Sequence, residues 1–108
     1  MTELITGIQQ VGIGVQDADT AKLAYKMNFG MNVKVFDDVA EASLMTKYTG
    51  NEKHRRRAIL SLNMAGGGGF EIWQFLSRKA IHPNTGIALR DTGIFAVKIK
   101  SQNIQKSR

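Results

Sequence analysis

One strand-like sequence occurs twice in this chain. Residues 6–13 read TGIQQVGI and residues 92–99 read TGIFAVKI, so five of eight positions are identical at an offset of 86 residues. A repeat at this spacing, close to the size of a small domain, indicates one folding unit followed by the start of a second. The sequence therefore predicts a first unit over residues 1–77, a linker over 78–91, and the opening strand of an incomplete second unit over 92–108.

The composition is that of a globular protein, with 43% hydrophobic and 22% charged residues. The absence of cysteine excludes disulfides, thiolate metal sites and cysteine nucleophiles. No apolar run approaches the roughly 18 residues that a membrane span requires. The first three residues do not resemble a signal peptide and no apolar segment follows them, so we expect a cytoplasmic protein without a membrane partner.

Positive charge is concentrated in three places, and the formal net charge is +6. Four basic side chains lie within residues 53–57, Arg78 and Lys79 form a second group, and four more follow residue 97. These groups could contact nucleic acid, form a solvated surface, or bind an anionic small molecule. Because no aromatic residues interleave with the first group and no helix carries a basic stripe, we do not expect a nucleic-acid partner.

Hydrophobic periodicity predicts an α+β fold with the order β-α-β-β-β. Asp17 is a candidate N-cap, and Gly30 stands where glycine commonly ends a helix. The residues between Asp38 and Tyr48 are ambiguous and favour a helix. The remaining elements are strands, predicted over residues 8–15, 32–36, 57–63, 70–75 and 93–99.

Two polar residues interrupt strands that are otherwise apolar. In the first strand, Val11, Ile13 and Val15 share one face, and Gln10 lies on the other beside two glycines. Glu71 lies between apolar neighbours in the fourth strand, where a carboxylate is costly unless it is hydrogen-bonded, paired or bound to a metal. The alternatives for Glu71 are an edge strand facing solvent or an ion pair with Arg57.

Other candidate motifs favour structural roles. Gly66 to Gly69 are followed by a strand and by no Lys-Ser/Thr pair, so a hairpin turn is a better interpretation than a phosphate loop. Neither His54 nor His82 has a second ligand at metal-binding spacing, so a metal role is not favoured for either histidine.

In combination, these features resemble the vicinal oxygen chelate superfamily, which contains glyoxalase, bleomycin-resistance proteins and extradiol dioxygenases. The resemblance implies a glyoxalase-like βαβββ module with a curled mixed sheet, plus an extra C-terminal strand. The residues that carry the match read ITGIQQVGIGV at 5–15, NFGM at 28–31, GGGGFEIWQ at 66–74 and DTGIF at 91–95.

The resemblance also implies which residues of this chain would form a metal site. Gln10 and Glu71 would be the two metal ligands of the first module, with Glu71 as the catalytic carboxylate and Ni²⁺, Mn²⁺, Mg²⁺ or Zn²⁺ as the divalent ion. The metal would polarise a substrate carbonyl while a carboxylate or water moves the proton. However, Ala96 stands where the second module would supply its first ligand, and the glutamate of that module is missing from the chain.

A lone module would expose strand edges and one face of its sheet, so we expect a homodimer in which a second copy completes the cleft.

The resemblance implies a lactoylglutathione lyase-like lyase or isomerase acting on a small carbonyl compound, with Arg57 or a neighbouring arginine binding substrate carboxylates. One alternative is a metal-free binding protein of the bleomycin-resistance type, with Trp73 and Phe75 stacking on a planar ligand. Another is an inactive fragment of a longer gene.

Overall fold

The computed structural model describes residues 2–5, 7–66, 68–94 and 96–106. Its one α-helix and four strands follow the predicted β-α-β-β-β order, which confirms the α+β class. The elements are β1 (Gln10–Gly14), α1 (Ala18–Phe29), β2 (Val33–Glu41), a 3₁₀ helix (Ser43–Tyr48), β3 (Arg55–Asn63) and β4 (Gly68–Phe75).

The four strands form one mixed sheet in the order β1-β4-β3-β2. β1 runs parallel to β4, with Gly12 opposite Glu71, and the other two pairs are antiparallel. Ile72 of β4 lies opposite Ile13 on one side and Ile59 on the other. β1 and β2 are therefore the two edge strands, and the first strand along the chain lies beside the last.

The helix begins and ends where the sequence predicts. The Asp17 carboxylate accepts a hydrogen bond from the Thr20 amide at 2.7 Å, which satisfies one of the free N–H groups of the first turn. Gly30 ends the helix in the left-handed region with φ of 64°. The Asn63 side chain donates to the Phe29 carbonyl at 2.9 Å, which fixes this end of the helix to β3.

The core lies between the helix and one face of the sheet. Ala18, Ile59 and Ile72 are fully buried there, and Ile13 and Val15 pack against them. The face that the sequence predicts to be apolar in the first strand is therefore the one that contacts the helix. Among the described residues, no α-helix covers the opposite face of the sheet.

The segment predicted as a helix over residues 38–48 forms two other structures. β2 continues to Glu41, and only Ser43–Tyr48 is helical, as a 3₁₀ helix. The strand is longer than its apolar pattern because it pairs with β3 along its whole length, reaching Arg55 opposite Glu41. Ladder hydrogen bonds of this kind override weak local preferences.

The turn at the glycine run is also shifted. Residues 64–66 form the turn between β3 and β4, and Gly68 and Gly69 belong to β4 itself. Gly67 lies outside the described residues. The hairpin is therefore confirmed, but its last two glycines are strand residues.

The C-terminal strand predicted over residues 93–99 is not formed in the single chain. Among the described residues after Phe75 there is no helix or strand, and Phe95 lies outside the description. Ile94, Ala96 and Val97 instead lie near β1, across a cavity of about 350 Å³ that Val11 to Gly14 also line. The division into residues 1–77, 78–91 and 92–108 stays a prediction.

Within the described residues, no helix has the length and apolarity that a membrane span requires.

Candidate functional site

The face of the sheet opposite the helix, here called the cleft face, holds most of the predicted site residues. Strand alternation places Gln10, Gly12 and Gly14 on this face of β1, and the register aligns Gly12 with Glu71 and Gly14 with Trp73. Phe75 follows on β4, and Arg56 of β3 lies directly opposite it. The two β1 glycines leave open space, since a Cβ at either position would meet no atom within 4 Å.

Gln10 and Glu71 are in direct contact. The Gln10 side-chain amide donates a hydrogen bond to a Glu71 carboxylate oxygen at 2.5 Å, and both residues are half-buried. Of the alternatives for Glu71, neither a fully solvated carboxylate nor an ion pair with Arg57 is observed. Residues that are 61 positions apart in sequence thus place a side-chain amide and a carboxylate side by side.

A cavity of about 310 Å³ opens next to this pair. Its lining comprises Glu71, Trp73 and Phe75 of β4, Gly12 to Gly14 of β1, and Met45 of the 3₁₀ helix. Most of this lining is apolar, and Glu71 is its charged member. A pocket with an apolar lining and one or a few polar groups is the usual form of a small-molecule site.

The two aromatic side chains of the cavity each lie near a guanidinium group. Trp73 and Phe75 meet edge to face, with ring centroids 6.2 Å apart. The Arg56 guanidinium lies 5.1 Å from the Trp73 ring centroid, and that of Arg78 lies 5.7 Å from Phe75. Arg56 also pairs with Asp38 at 2.7 Å. The indole N–H of Trp73 is buried without a hydrogen-bond partner among the described residues.

Arg57 lies on the opposite face of the sheet from Trp73 and Phe75. Its guanidinium donates to both oxygens of Asp37, at 2.8 and 2.9 Å, and to Asp19 of the helix at 3.0 Å. These two carboxylates raise the pKa of Arg57 above its ordinary range. The structure therefore does not bring Arg57 together with the other predicted site residues. The alternation of β3 brings its neighbour Arg56 there instead.

His54 contacts Phe75, not the Gln10–Glu71 pair. His54 packs edge-on against Phe75 with ring centroids 5.8 Å apart, and its Nε2 lies 3.7 Å from a Glu52 oxygen. In the part of the chain that the structure describes, no three His, Cys, Asp or Glu side chains cluster at metal-binding distance. Within these residues, Gln10 and Glu71 form a pair of polar side chains and are not part of a larger cluster of acidic or histidine side chains.

Sequence reasoning missed three residues near the cavity: Met45, His54 as a neighbour of Phe75, and Arg78. Met45 falls in the segment whose pattern was ambiguous, so nothing in the sequence pointed to it. Arg78 was noted only as part of a basic pair. The alternation of residues 55–57 could have identified Arg56, since every second residue of a strand shares a face.

The comparisons with known proteins identify the fold. No protein-family model and no curated protein matches this sequence. The structure is similar to the crystal structure of a glyoxalase family protein from Bacillus cereus, with a TM-score of 0.70 and 16% sequence identity. The match covers 97% of this chain and 69% of that protein, so it extends past β4 into the C-terminal segment.

Proposed function

We propose, since this chain has the glyoxalase-like fold of the vicinal oxygen chelate superfamily, that its cleft face holds a divalent metal and acts on a small carbonyl compound as a lyase or isomerase. The observation that carries the proposal is the contact between Gln10 and Glu71 beside a 310 Å³ cavity. A half-buried carboxylate that lines the cavity and contacts a half-buried amide is suited to bind a cation next to a substrate.

The donor set fits half of a metal site. Hard oxygen donors, such as the Gln10 amide oxygen and the Glu71 carboxylate, suit divalent ions that prefer octahedral coordination. Two ligands are too few for tight binding. A two-fold homodimer that presents the same pair from a second copy would supply four, because an isologous interface repeats each residue across its axis.

The proposed reaction divides its tasks between the bound ion and the side chains that line the cavity. When bound, the ion supplies Lewis-acid polarisation of the substrate carbonyl. In this proposal the substrate carries a hydroxyl group on the carbon next to the carbonyl. Glu71 accepts the proton of that carbon and returns it to the carbonyl carbon, while the hydroxyl proton moves to the former carbonyl oxygen. Gly12 and Gly14 leave room for the substrate, while Met45, Trp73 and Phe75 keep water away from the proton that moves.

Metal titration tests this proposal. We expect the wild-type protein to bind one divalent ion per two chains, and Glu71→Gln to weaken that binding at least about tenfold. Glutamine keeps the volume of the side chain and can still accept the hydrogen bond from Gln10, so the loss would report the missing carboxylate charge. Isothermal titration with Ni²⁺, Mn²⁺, Mg²⁺ and Zn²⁺ on metal-free protein measures the affinities.

Glu41→Gln is the matched control, because Glu41 is an exposed carboxylate at the end of β2. It removes the same charge from the chain and is expected to leave metal affinity unchanged. Equal affinities for wild type and Glu71→Gln would contradict the metal site.

A second candidate function is favoured by the aromatic half of the cavity. Trp73 and Phe75 with their two neighbouring guanidinium groups form a surface suited to a planar anion, which needs no metal. In this alternative the protein is a binding module of the bleomycin-resistance type and Glu71 only supports the cavity wall. The apolar lining of the cavity favours stacking over polar recognition.

Fluorescence quenching separates the two candidates. Trp73 is the chain's one tryptophan, so saturable quenching by nitrobenzoate in the presence of EDTA would report metal-free binding in this cavity. Arg56→Gln is expected to weaken nitrobenzoate binding about fivefold, which corresponds to about 1 kcal/mol. Arg55→Gln is the control, since Arg55 points to the other face of β3. Quenching that never saturates would contradict a defined aromatic site.

A further inference from the structure

We propose that the carbonyl compound acted on at the cleft face carries a phosphate group, and that Arg78 binds this phosphate beside Phe75. The proposal rests on the function proposed above and names the class of its substrate. Phe75 is the last residue of β4 and lines the 310 Å³ cavity. The Arg78 guanidinium lies 5.7 Å from the centroid of its ring. A substrate that extends from Glu71 past Phe75 would therefore meet a cation.

Arg78 lies on a short segment whose backbone is held on both sides. Before it, the Ser77 hydroxyl accepts a hydrogen bond from the Arg55 amide at 2.6 Å. After it, the Ala80 carbonyl accepts a hydrogen bond from the Gln16 side chain at 3.0 Å. Because the flanking backbone is already fixed, less conformational freedom is lost when the guanidinium binds an anion.

The strand register places Arg78 in a positively charged part of the surface. β3 and β4 are antiparallel and Arg56 lies opposite Phe75, so the start of β3 and the residues after β4 meet at one end of the hairpin. The fold thus joins two basic groups that are separate in the sequence. Their exposed members are Lys53, Arg55, Arg78 and Lys79.

Few carboxylates offset this charge. Asp38 pairs with Arg56 at 2.7 Å, and the exposed Glu52 lies beside His54. In the part of the chain that the structure describes, no ion pair joins a carboxylate to the four exposed cations. A phosphate ester carries a charge of about −1.5 to −2 at pH 7, more than a carboxylate carries. The excess of positive charge and the guanidinium fork of Arg78 therefore favour a phosphate.

The spacing along β4 limits the size of the substrate. Glu71 and Phe75 share the cleft face, and four strand residues span about 13 Å. The lining between the carbonyl end at Glu71 and the phosphate end at Arg78 includes Trp73 and Met45 and is mostly apolar. Since a C–C bond is about 1.5 Å long, we expect a carbon skeleton of roughly five atoms or more. The substrate class is thus a phosphate ester of an apolar, hydroxylated carbonyl compound.

Phenyl phosphate is a suitable probe, because it joins an apolar ring to a phosphate. Isothermal titration in EDTA at pH 7.5 and fixed ionic strength measures its binding without any metal. We expect saturable binding to the wild type and about tenfold weaker binding to Arg78→Gln, which loses a charge-assisted hydrogen bond. Arg78→Lys keeps the charge and should recover part of the affinity. Circular dichroism checks that the variants keep the fold, which we expect because Arg78 is exposed and follows the last strand.

Lys26→Gln is the matched control. It removes the same charge from an exposed position on the helix, which packs against the opposite face of the sheet. Because salt screens charges that are far apart, the affinity for phenyl phosphate should stay within about twofold of the wild type. Benzoate has the same ring with a carboxylate, and we expect the wild type to bind it at least about fivefold more weakly than phenyl phosphate.

The outcomes separate this proposal from the metal site. Equal affinities of wild type and Arg78→Gln for phenyl phosphate, or benzoate binding as tight as that of phenyl phosphate, would overturn the phosphate site. No saturable binding at millimolar phenyl phosphate would overturn it as well. None of these results bears on the metal affinity of Glu71, which has its own titration. Phenyl phosphate binding that depends on Arg78 in a protein that binds no metal would support the phosphate site and contradict the metal-dependent isomerase.

Discussion

Replacing Gly69 with alanine is expected to lower the free energy of unfolding by about 2–3 kcal/mol, the cost of inserting an atom into a closely packed site. A Cβ at Gly69 would overlap the backbone carbonyl oxygen of Ser61 and a methyl group of Leu62 on the neighbouring strand. The carbonyl is fixed by the β3–β4 ladder, so it cannot turn aside as a flexible side chain would. Relief requires the two strands to separate locally.

The melting temperature of Gly69→Ala should fall by roughly 10 °C, given the entropy of unfolding of a domain of this size. Gly66→Ala is the matched control in the same glycine run, because a Cβ there meets no atom within 4 Å. We expect Gly66→Ala to remain within about 0.5 kcal/mol of the wild type. Circular dichroism melts of both variants measure the difference. Equal melting temperatures would mean that β3 and β4 do not approach as closely as the structure shows.

The glycine run shows how far composition can predict structure. Four successive glycines predict a turn, and the chain does turn at residues 64–66, which include the first of them. That Gly69 is instead required for close strand contact depends on the register with Leu62, which no local pattern specifies. The sequence shows where glycines give the backbone conformational freedom. Only the strand register shows that Gly69 is the glycine whose replacement would cause a steric overlap.

The candidate site was predictable to a similar extent. Alternation places Gln10 on the face of the first strand opposite Val11, Ile13 and Val15, and the structure confirms this placement. The same alternation gives Glu71, Trp73 and Phe75 a common face, and all three line one cavity. Only the family resemblance indicated that Gln10 of β1 and Glu71 of β4 belong to one site. The pattern of residues could not, because the parallel pairing of β1 with β4 joins segments that are far apart in the sequence. Arg57 could not be assigned from its position in a run of three arginines, since a shift of one residue reverses the face.

The helix face of the sheet carries a charge cluster that holds three elements together. Arg57 of β3 binds Asp37 of β2 through two hydrogen bonds and Asp19 of α1 through a third. Lys22 of the helix lies 3.5 Å from the same Asp37 carboxylate. The side chains of Asp37 and Arg57 are only 18% and 23% exposed, so solvent screens this pair less than a surface ion pair.

Acid is therefore expected to weaken the fold through Asp37. The hydrogen bonds from Arg57 lower the pKa of Asp37 from 3.8 to about 2. Because the folded-state pKa lies below the unfolded value, the contribution of Asp37 to stability is complete above about pH 5 and is lost as the pH falls from about 4 to about 2. That contribution is about 1–2 kcal/mol once partial exposure is allowed for.

Asp37→Asn should remove this contribution at pH 7 and flatten the decline of stability between about pH 4 and pH 2, since asparagine cannot titrate. Asp38→Asn is the matched control, because it also removes one negative charge from β2 but its side chain is 51% exposed beside Arg56. It is expected to change stability by less than about 0.5 kcal/mol. Urea unfolding of the three proteins across pH 2–7 measures the effect. If Asp37→Asn and Asp38→Asn followed the same pH curve, the Arg57 cluster would not be what joins the helix to the sheet.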